Sequence, residues 1–175
     1  MMFNFSPASK VESHVFGAAR PGFGPDPVTQ KRVEDWIDFM KKQGIKRVCC
    51  LLSESQLAFY DDLLNSYGQV FGKGNVCWTP VEDFQLADEA TLTQQILPFL
   101  ANSVESDERV VVHCSAGQGR TGHVLAAWLV YGRRMSNEAA LRAVEAMGRR
   151  PYEAEGGHEQ GKKLLHDLLN SCRAP

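Results

Sequence analysis

Residues 110–122, Val-Val-Val-His-Cys-Ser-Ala-Gly-Gln-Gly-Arg-Thr-Gly, constrain this chain more than any other stretch. The valines read as a buried strand, and the apolar run 124–131 reads as a helix buried nearly all round. A tight glycine-containing loop joins them, with the helix starting at or near Arg120. A loop at a helix N-terminus turns unbonded backbone N–H groups and the positive end of the dipole into its concavity, a natural seat for phosphate. Gly117 and Gly119 permit the positive φ angles and close backbone approach that such a cradle needs. Cys114 stands at the entrance, where the same field favours a thiolate. Five residues separate it from Arg120. The loop can therefore curl until the guanidinium forks two oxygens of an anion held over the sulfur.

The flanking sequence sets this unit in an α/β domain. Residues 1–10 read as irregular, 14–18 as a short strand and 19–25 as a turn-rich loop. Asp26-Pro27 predicts the start of a helix whose core positions are Val33, Trp36, Ile37 and Met40, closed by Gly44. Residues 45–52 read as a buried parallel strand. Ser53 to Gln56 forms a capping box that predicts a helix to about Tyr67. A strand follows at 76–80, then a loop at 81–88 with three carboxylates. A second capping box, Thr91 to Gln94, predicts a helix to about Ser103, with Pro98 placed to kink it. After 121–132 come a helix capped by Ser136, a loop at 148–157, and a last helix to about Cys172. Strands alternating with helices predict one domain over 1–175, with a central, mostly parallel sheet flanked by helices. The phosphate loop then lies between a central strand and a buried helix, at the carboxyl end where open α/β sheets bind ligands.

Composition narrows the function classes. The net charge is −2, but residues 1–108 carry 9 basic and 15 acidic side chains and residues 109–175 carry 10 and 6. The half with the phosphate loop is thus the positive half, which suits a dianionic ligand. No basic patch interleaved with aromatics points to nucleic acid. No signal peptide or membrane-length apolar run is evident, so no membrane partner is expected. Five cysteines without paired spacing point to a reducing compartment, with cytoplasm the default, and no metal site or cofactor is expected. Arg20 reads as turn chemistry, and Arg133, Arg134, Arg149 and Arg150 read as solvated helix-end and loop charges.

His113, Cys114, Arg120 and Thr121 match His-Cys-x5-Arg-Ser/Thr, so the loop resembles the active-site loop of the cysteine-based protein tyrosine phosphatases, in the small dual-specificity-like form. The resemblance implies hydrolysis of phosphotyrosine, with or without phosphoserine and phosphothreonine, in protein substrates through a phosphocysteine. It implies Cys114 as nucleophile and a phosphate cradle of Ser115, Ala116, Gly117, Gln118, Gly119 and Arg120. It further implies Thr121 as a hydroxyl donor to the sulfur and His113 as an organiser of the loop backbone. Asp83 lies 31 residues before the cysteine in Pro-Val-Glu-Asp-Phe, similar to the family's general-acid loop; Glu82, Asp88 and Glu89 are its rivals. Gln160 occupies a context similar to that of a glutamine that holds the hydrolytic water, or it faces solvent. Cys50 resembles the backdoor cysteine of some relatives, or it fills the core. Alternatives on the same scaffold are a phosphoinositide phosphatase, which would carry lysines in the loop, and an RNA 5′-triphosphate phosphatase, which would carry a broader basic surface. A non-catalytic phospho-binding module would need no nucleophile.

Overall fold

The structure, a computed structural model, describes residues 1–173, apart from the side chains of Ala154 and Glu155. Residues 174 and 175 of the expected single domain lie outside the described residues. Five strands form one sheet: β1 (Ser6–Pro7), β2 (Val15–Ala19), β3 (Ile45–Cys50), β4 (Val76–Trp78) and β5 (Arg109–Cys114). Their order is β1-β2-β5-β3-β4, with β1 antiparallel to β2 and every other pairing parallel. The strand of the phosphate loop is therefore central, flanked by β2 and β3. Ala19 pairs with Cys114, and Cys50 pairs with His113.

A parallel sheet must be covered on both faces, and alternation along the strands sorts the residues accordingly. Val110, Val112, Cys114, Cys49 and Leu51 enter the layer built from α5 (Leu97–Glu105), α6 (Gly119–Arg133), α7 (Asn137–Ala146) and α8 (Glu159–Ser171). Val111, Val48, Cys50 and Leu52 enter the opposite layer, with Trp36 and Met40 of α1 (Gln30–Lys42) and Leu63, Tyr67 and Phe71 of α3 (Leu63–Phe71). As its composition predicts, α6 is buried without interruption from Arg120 to Val130. Among the described residues no helix is long and apolar enough to cross a membrane.

The observed elements depart from the sequence reading where local polar chemistry intervenes. α1 starts at Gln30 rather than beside Pro27, because Thr29 caps it through Arg32 N, while the Arg32 guanidinium holds the carbonyls of Asp26 and Pro27. The helix opened by Ser53 ends after one turn, α2 (Glu54–Leu57), and the chain resumes at α3, where Asp62 accepts from Asn65 N. The break lets Tyr60 donate to Pro21 O at 2.7 Å. Asp88, not Thr91, caps the next helix, α4 (Glu89–Thr91), by accepting from Thr91 N at 2.9 Å. A π-helical segment, Leu92–Ile96, then precedes α5. Pro98 supplies no N–H, and the wider turn ahead of it absorbs the missing bond.

Glu12 ties the N-terminal segment to the central helix. Its carboxylate is buried and accepts from Trp128 Nε1 at 3.0 Å, from both arms of Arg133 at 2.9 and 3.0 Å, and from the N–H groups of Ser13 and His14. Burial alone would raise its pKa, but the Arg133 pair and the backbone donors win and hold it below the ordinary value of 4.5. A lowered folded-state pKa gives stability that is present above the unfolded value and is lost as pH falls through the folded one. Glu12→Gln is therefore expected to cost about 2–3 kcal/mol at pH 7 in urea unfolding. The difference from the parent should shrink steadily below pH 4.5.

Candidate active site

β5 delivers Cys114 to the carboxyl edge of the sheet, and the chain turns through Ser115–Gln118 into the first turn of α6. Every carbonyl from Cys114 to Gly119 accepts from a donor outside the concavity. Cys114 O accepts from His113 Nδ1 at 3.3 Å, Ser115 O from Arg20 N at 2.9 Å, and Ala116 O from Asn4 Nδ2 at 3.1 Å. Gly117 O accepts from Arg149 Nη1 at 2.6 Å, Gln118 O from Gly122 N at 2.8 Å, and Gly119 O from His123 Nδ1 at 3.3 Å. A trans peptide sets each carbonyl opposite the following N–H, so the N–H groups of Ser115 to Arg120 face the concavity. Among the described residues none of the six donates to a protein acceptor. They form an anion nest at the positive end of a helix of 15 residues.

The histidines behind the loop are neutral with fixed tautomers. A carbonyl can only accept, so His113 carries its proton on Nδ1 and takes the Tyr67 hydroxyl hydrogen at Nε2, 3.1 Å away. His123 likewise gives Nδ1–H to Gly119 O and accepts from Ala87 N at 3.0 Å, which joins the 79–88 loop to the phosphate loop. Burial pushes both imidazoles down to about 4.

The Thr121 hydroxyl donates to Cys114 Sγ at 3.1 Å. The Arg120 guanidinium is buried: its Nη1 donates to Gln56 Oε1 at 2.7 Å and to Val81 O at 2.9 Å, and its Nη2 lies 3.1 Å from Asp83 Oδ1. Asp83 itself is 53% exposed and can leave that pairing. Cys114, Ser115, Ala116, Gln118, Gly119, Arg120 and Asp83 line one cavity of about 150 Å³, rimmed by Phe23, Phe84 and Glu153. Phe84 and Glu153 also border a neighbouring cavity of about 360 Å³. No group of histidine, cysteine and carboxylate side chains that could hold a metal ion occurs among the described residues.

The sequence candidates therefore converge, with two exceptions. Gln160 is exposed in the first turn of α8 and is not part of the cavity wall, where Glu153 stands instead. Cys50 feels the charges of Cys114 and Arg120, and burial pushes its thiol up to about 12. Its side chain nevertheless belongs to the α1–α3 layer while Cys114 belongs to the α6 layer. Adjacent positions along paired strands face opposite ways, so Cys50 is placed as a core residue rather than as a bridging partner for Cys114. Asp88 is occupied as a helix cap, which separates it from Asp83.

Two arginines, Arg20 read as turn chemistry and Arg149 read as a solvated charge, are structural parts of the site. Arg20 is buried, with Nε to Ser115 Oγ at 3.2 Å and Nη1 to the Tyr60 hydroxyl at 3.0 Å, and it lies over the Phe59 ring. Arg149 is 2% exposed behind Gly117. Gln56 and Asn4 also escape sequence reading. Gln56 is legible only as a capping residue, and Asn4 only as part of an irregular start.

A central parallel strand, a glycine loop with inward N–H groups and a buried helix, with a thiol and an arginine on one cavity wall, define the cysteine-based phosphatase fold. Kinase associated phosphatase, solved with its catalytic-site cysteine replaced by serine, superposes with a TM-score of 0.73 at 22% identity, covering 90% of this chain and 86% of that one. Tk-PTP in its active form gives 0.67 at 20% identity, covering 95% and 99%. A family model described as "Polymorphic toxin system, DSP-PTPase phosphatase" matches residues 24–133, and the chain belongs to that family. It is also 26% identical over 88 residues to the "Putative tyrosine phosphatase 123R" of Invertebrate iridescent virus 6, a match spanning 49% of this chain and 61% of the viral protein.

The loop's shape depends on Gly117, which has φ of +72° and packs against β2 so closely that a Cβ would stand 2.6 Å from Ala18 C and O. Gly117→Ala is expected to cost about 1–3 kcal/mol from backbone strain alone. Isothermal titration with inorganic phosphate should show the cradle's affinity falling along with the stability.

Proposed function

We propose that this chain hydrolyses phosphate monoesters, foremost phosphotyrosine in proteins, through a phosphocysteine on Cys114. The observation that carries the reading is the ring of six inward N–H groups closed around a thiol and a guanidinium. Binding alone would need the ring and Arg120; the Thr121 hydroxyl on the sulfur and Asp83 across the cavity serve chemistry.

In this mechanism the Cys114 thiolate attacks phosphorus, and the sulfur–phosphorus bond forms as the ester oxygen leaves. Asp83 gives that oxygen its proton. The loop N–H groups and Arg120, released from Asp83, hold the equatorial oxygens as charge spreads over them. Water then attacks in line, Asp83 takes back a proton, and phosphate leaves as Thr121 donates its hydrogen bond to the departing sulfur. His113 keeps Cys114 O turned away from the anion. Gln160 stands too exposed to be given the hydrolytic water here.

Phe23 and Phe84, half or more exposed at the cavity mouth, offer faces to an aromatic ester and favour phosphotyrosine over phosphoserine and phosphothreonine. Ser115, Ala116 and Gln118 leave the loop without a cation of its own before Arg120, which disfavours a phosphoinositide headgroup or an RNA 5′-triphosphate. The cytoplasm remains the proposed location, consistent with five free thiols among the described residues.

A panel of phosphopeptides, phosphoinositides and RNA 5′-triphosphate, assayed with chelator, tests the substrate class; highest turnover on phosphotyrosine peptides is expected. Cys114→Ser is expected to abolish turnover and retain phosphopeptide binding, and residual activity within about tenfold of the parent would remove the nucleophile assignment. Asp83→Asn is expected to slow alkyl phosphates by about 10²–10⁴-fold, and activated aryl esters much less. It should also erase the basic limb of the pH–rate profile.

A further inference from the structure

Arg149 follows α7, outside the residues that match the family model, and its guanidinium is buried beneath the phosphate loop. Nη1 donates to Gly117 O at 2.6 Å, and Nη2 donates to Gly17 O at 2.8 Å and Ser6 Oγ at 2.7 Å. One side chain thus fastens three separate parts of the chain: β1, β2 and the loop. The space is cut to fit it, since a Cβ on Gly17 would come within 3.0 Å of Nη2. All of these acceptors are neutral. Glu145 shares a cavity wall with Arg149, yet among the described residues no carboxylate forms an ion pair with it. An unpaired cation is costly to bury, and burial depresses its pKa to about 10, opposed by the negative charge of Cys114.

We propose that Arg149 is a positioning residue, holding the Gly117 carbonyl away from the anion nest, and that it is also the buried counter-charge of whatever anion the nest contains. That anion is bound phosphate, or Cys114 itself when its thiol ionises. The inference rests on the phosphatase reading for its second half only. Arg120 approaches the anion from the cavity side, while Arg149 acts from behind the backbone and touches no reacting atom. The other groups near the thiol are Arg120 and Thr121 on α6, Asp83 across the cavity, neutral His113 on β5, Cys50 on β3, and Arg20 through Ser115.

The test separates charge from hydrogen bonding in the full chain. Arg149→Gln keeps a donor and loses the charge; Arg149→Lys keeps the charge and loses the fork. Alkylation of Cys114 by iodoacetamide across pH reads the thiol pKa, and hydrolysis of para-nitrophenyl phosphate reads kcat and KM, both per mole of folded protein. Arg149→Gln is expected to raise the thiol pKa by about one unit, a tenfold loss of thiolate below it. Arg149→Lys is expected to leave that pKa within about 0.3 units and to raise KM severalfold. A parental thiol pKa in folded Arg149→Gln overturns the counter-charge role. If that variant does not fold, Arg149→Lys decides, and a parental KM there overturns the positioning role. A pKa shift in Arg149→Gln from a parent that hydrolyses no phosphate ester would uphold the inference and remove the phosphatase reading instead.

Discussion

Six carbonyls turned away from one point determine how this molecule is built. A loop of five residues can aim its N–H groups inward only if the opposite ends of the same peptides are satisfied elsewhere. The donors come from every quarter of the fold: Asn4 from the N-terminal segment, Arg20 from the end of β2, His113 from β5, Gly122 and His123 from α6, and Arg149 from beyond α7. The strand order β2-β5-β3 places the loop within reach of these elements. The nest is thus a tertiary object, although its motif is local.

This explains what the sequence discloses and what it conceals. The strand–loop–helix unit, the parallel sheet and the buried helix are written in short-range patterns: a run of valines, paired glycines, and a stretch apolar on all sides. Cys114, Arg120 and Thr121 sit where the motif's fixed spacing puts them, whereas Asp83 stands out from Glu82, Asp88 and Glu89 only through the family resemblance. Arg20 and Arg149 carry no such mark, because a charged side chain in a turn is ordinarily solvated. Acceptors distant in sequence, Ser115 and Tyr60 for Arg20 and Gly117, Gly17 and Ser6 for Arg149, make burial of these cations tolerable. The break between α2 and α3 is equally invisible in hydrophobic pattern, since the bond it permits, from Tyr60 to Pro21, reaches across the fold. Cys50 illustrates a choice that the sequence leaves open: its place on a strand beside β5 is readable, but the face its side chain takes depends on register.

Electrostatically the site gathers positive groups around the loop, facing the carboxylates of Asp83 on Arg120 and Glu153 at the rim. Arg120 and Arg149 approach from opposite sides of the loop, Arg20 supports its first residue, and the helix dipole adds to both. The two histidines nearby are held neutral by burial, so they order the backbone without adding charge. Such an arrangement favours a dianion over a neutral or singly charged ligand, and it keeps that preference through the pH range in which imidazoles ordinarily titrate.

The pairing of Arg120 with Asp83 means that any anion in the cavity meets a competitor for the guanidinium. A phosphate dianion can engage the guanidinium fully only by evicting the carboxylate, so every occupant of the nest is held less tightly than the geometry alone would allow. That penalty falls on inorganic phosphate as much as on an ester. For a catalyst working where free phosphate is abundant, a carboxylate that recaptures the arginine speeds clearance of the product, and it keeps the cradle open for the next substrate.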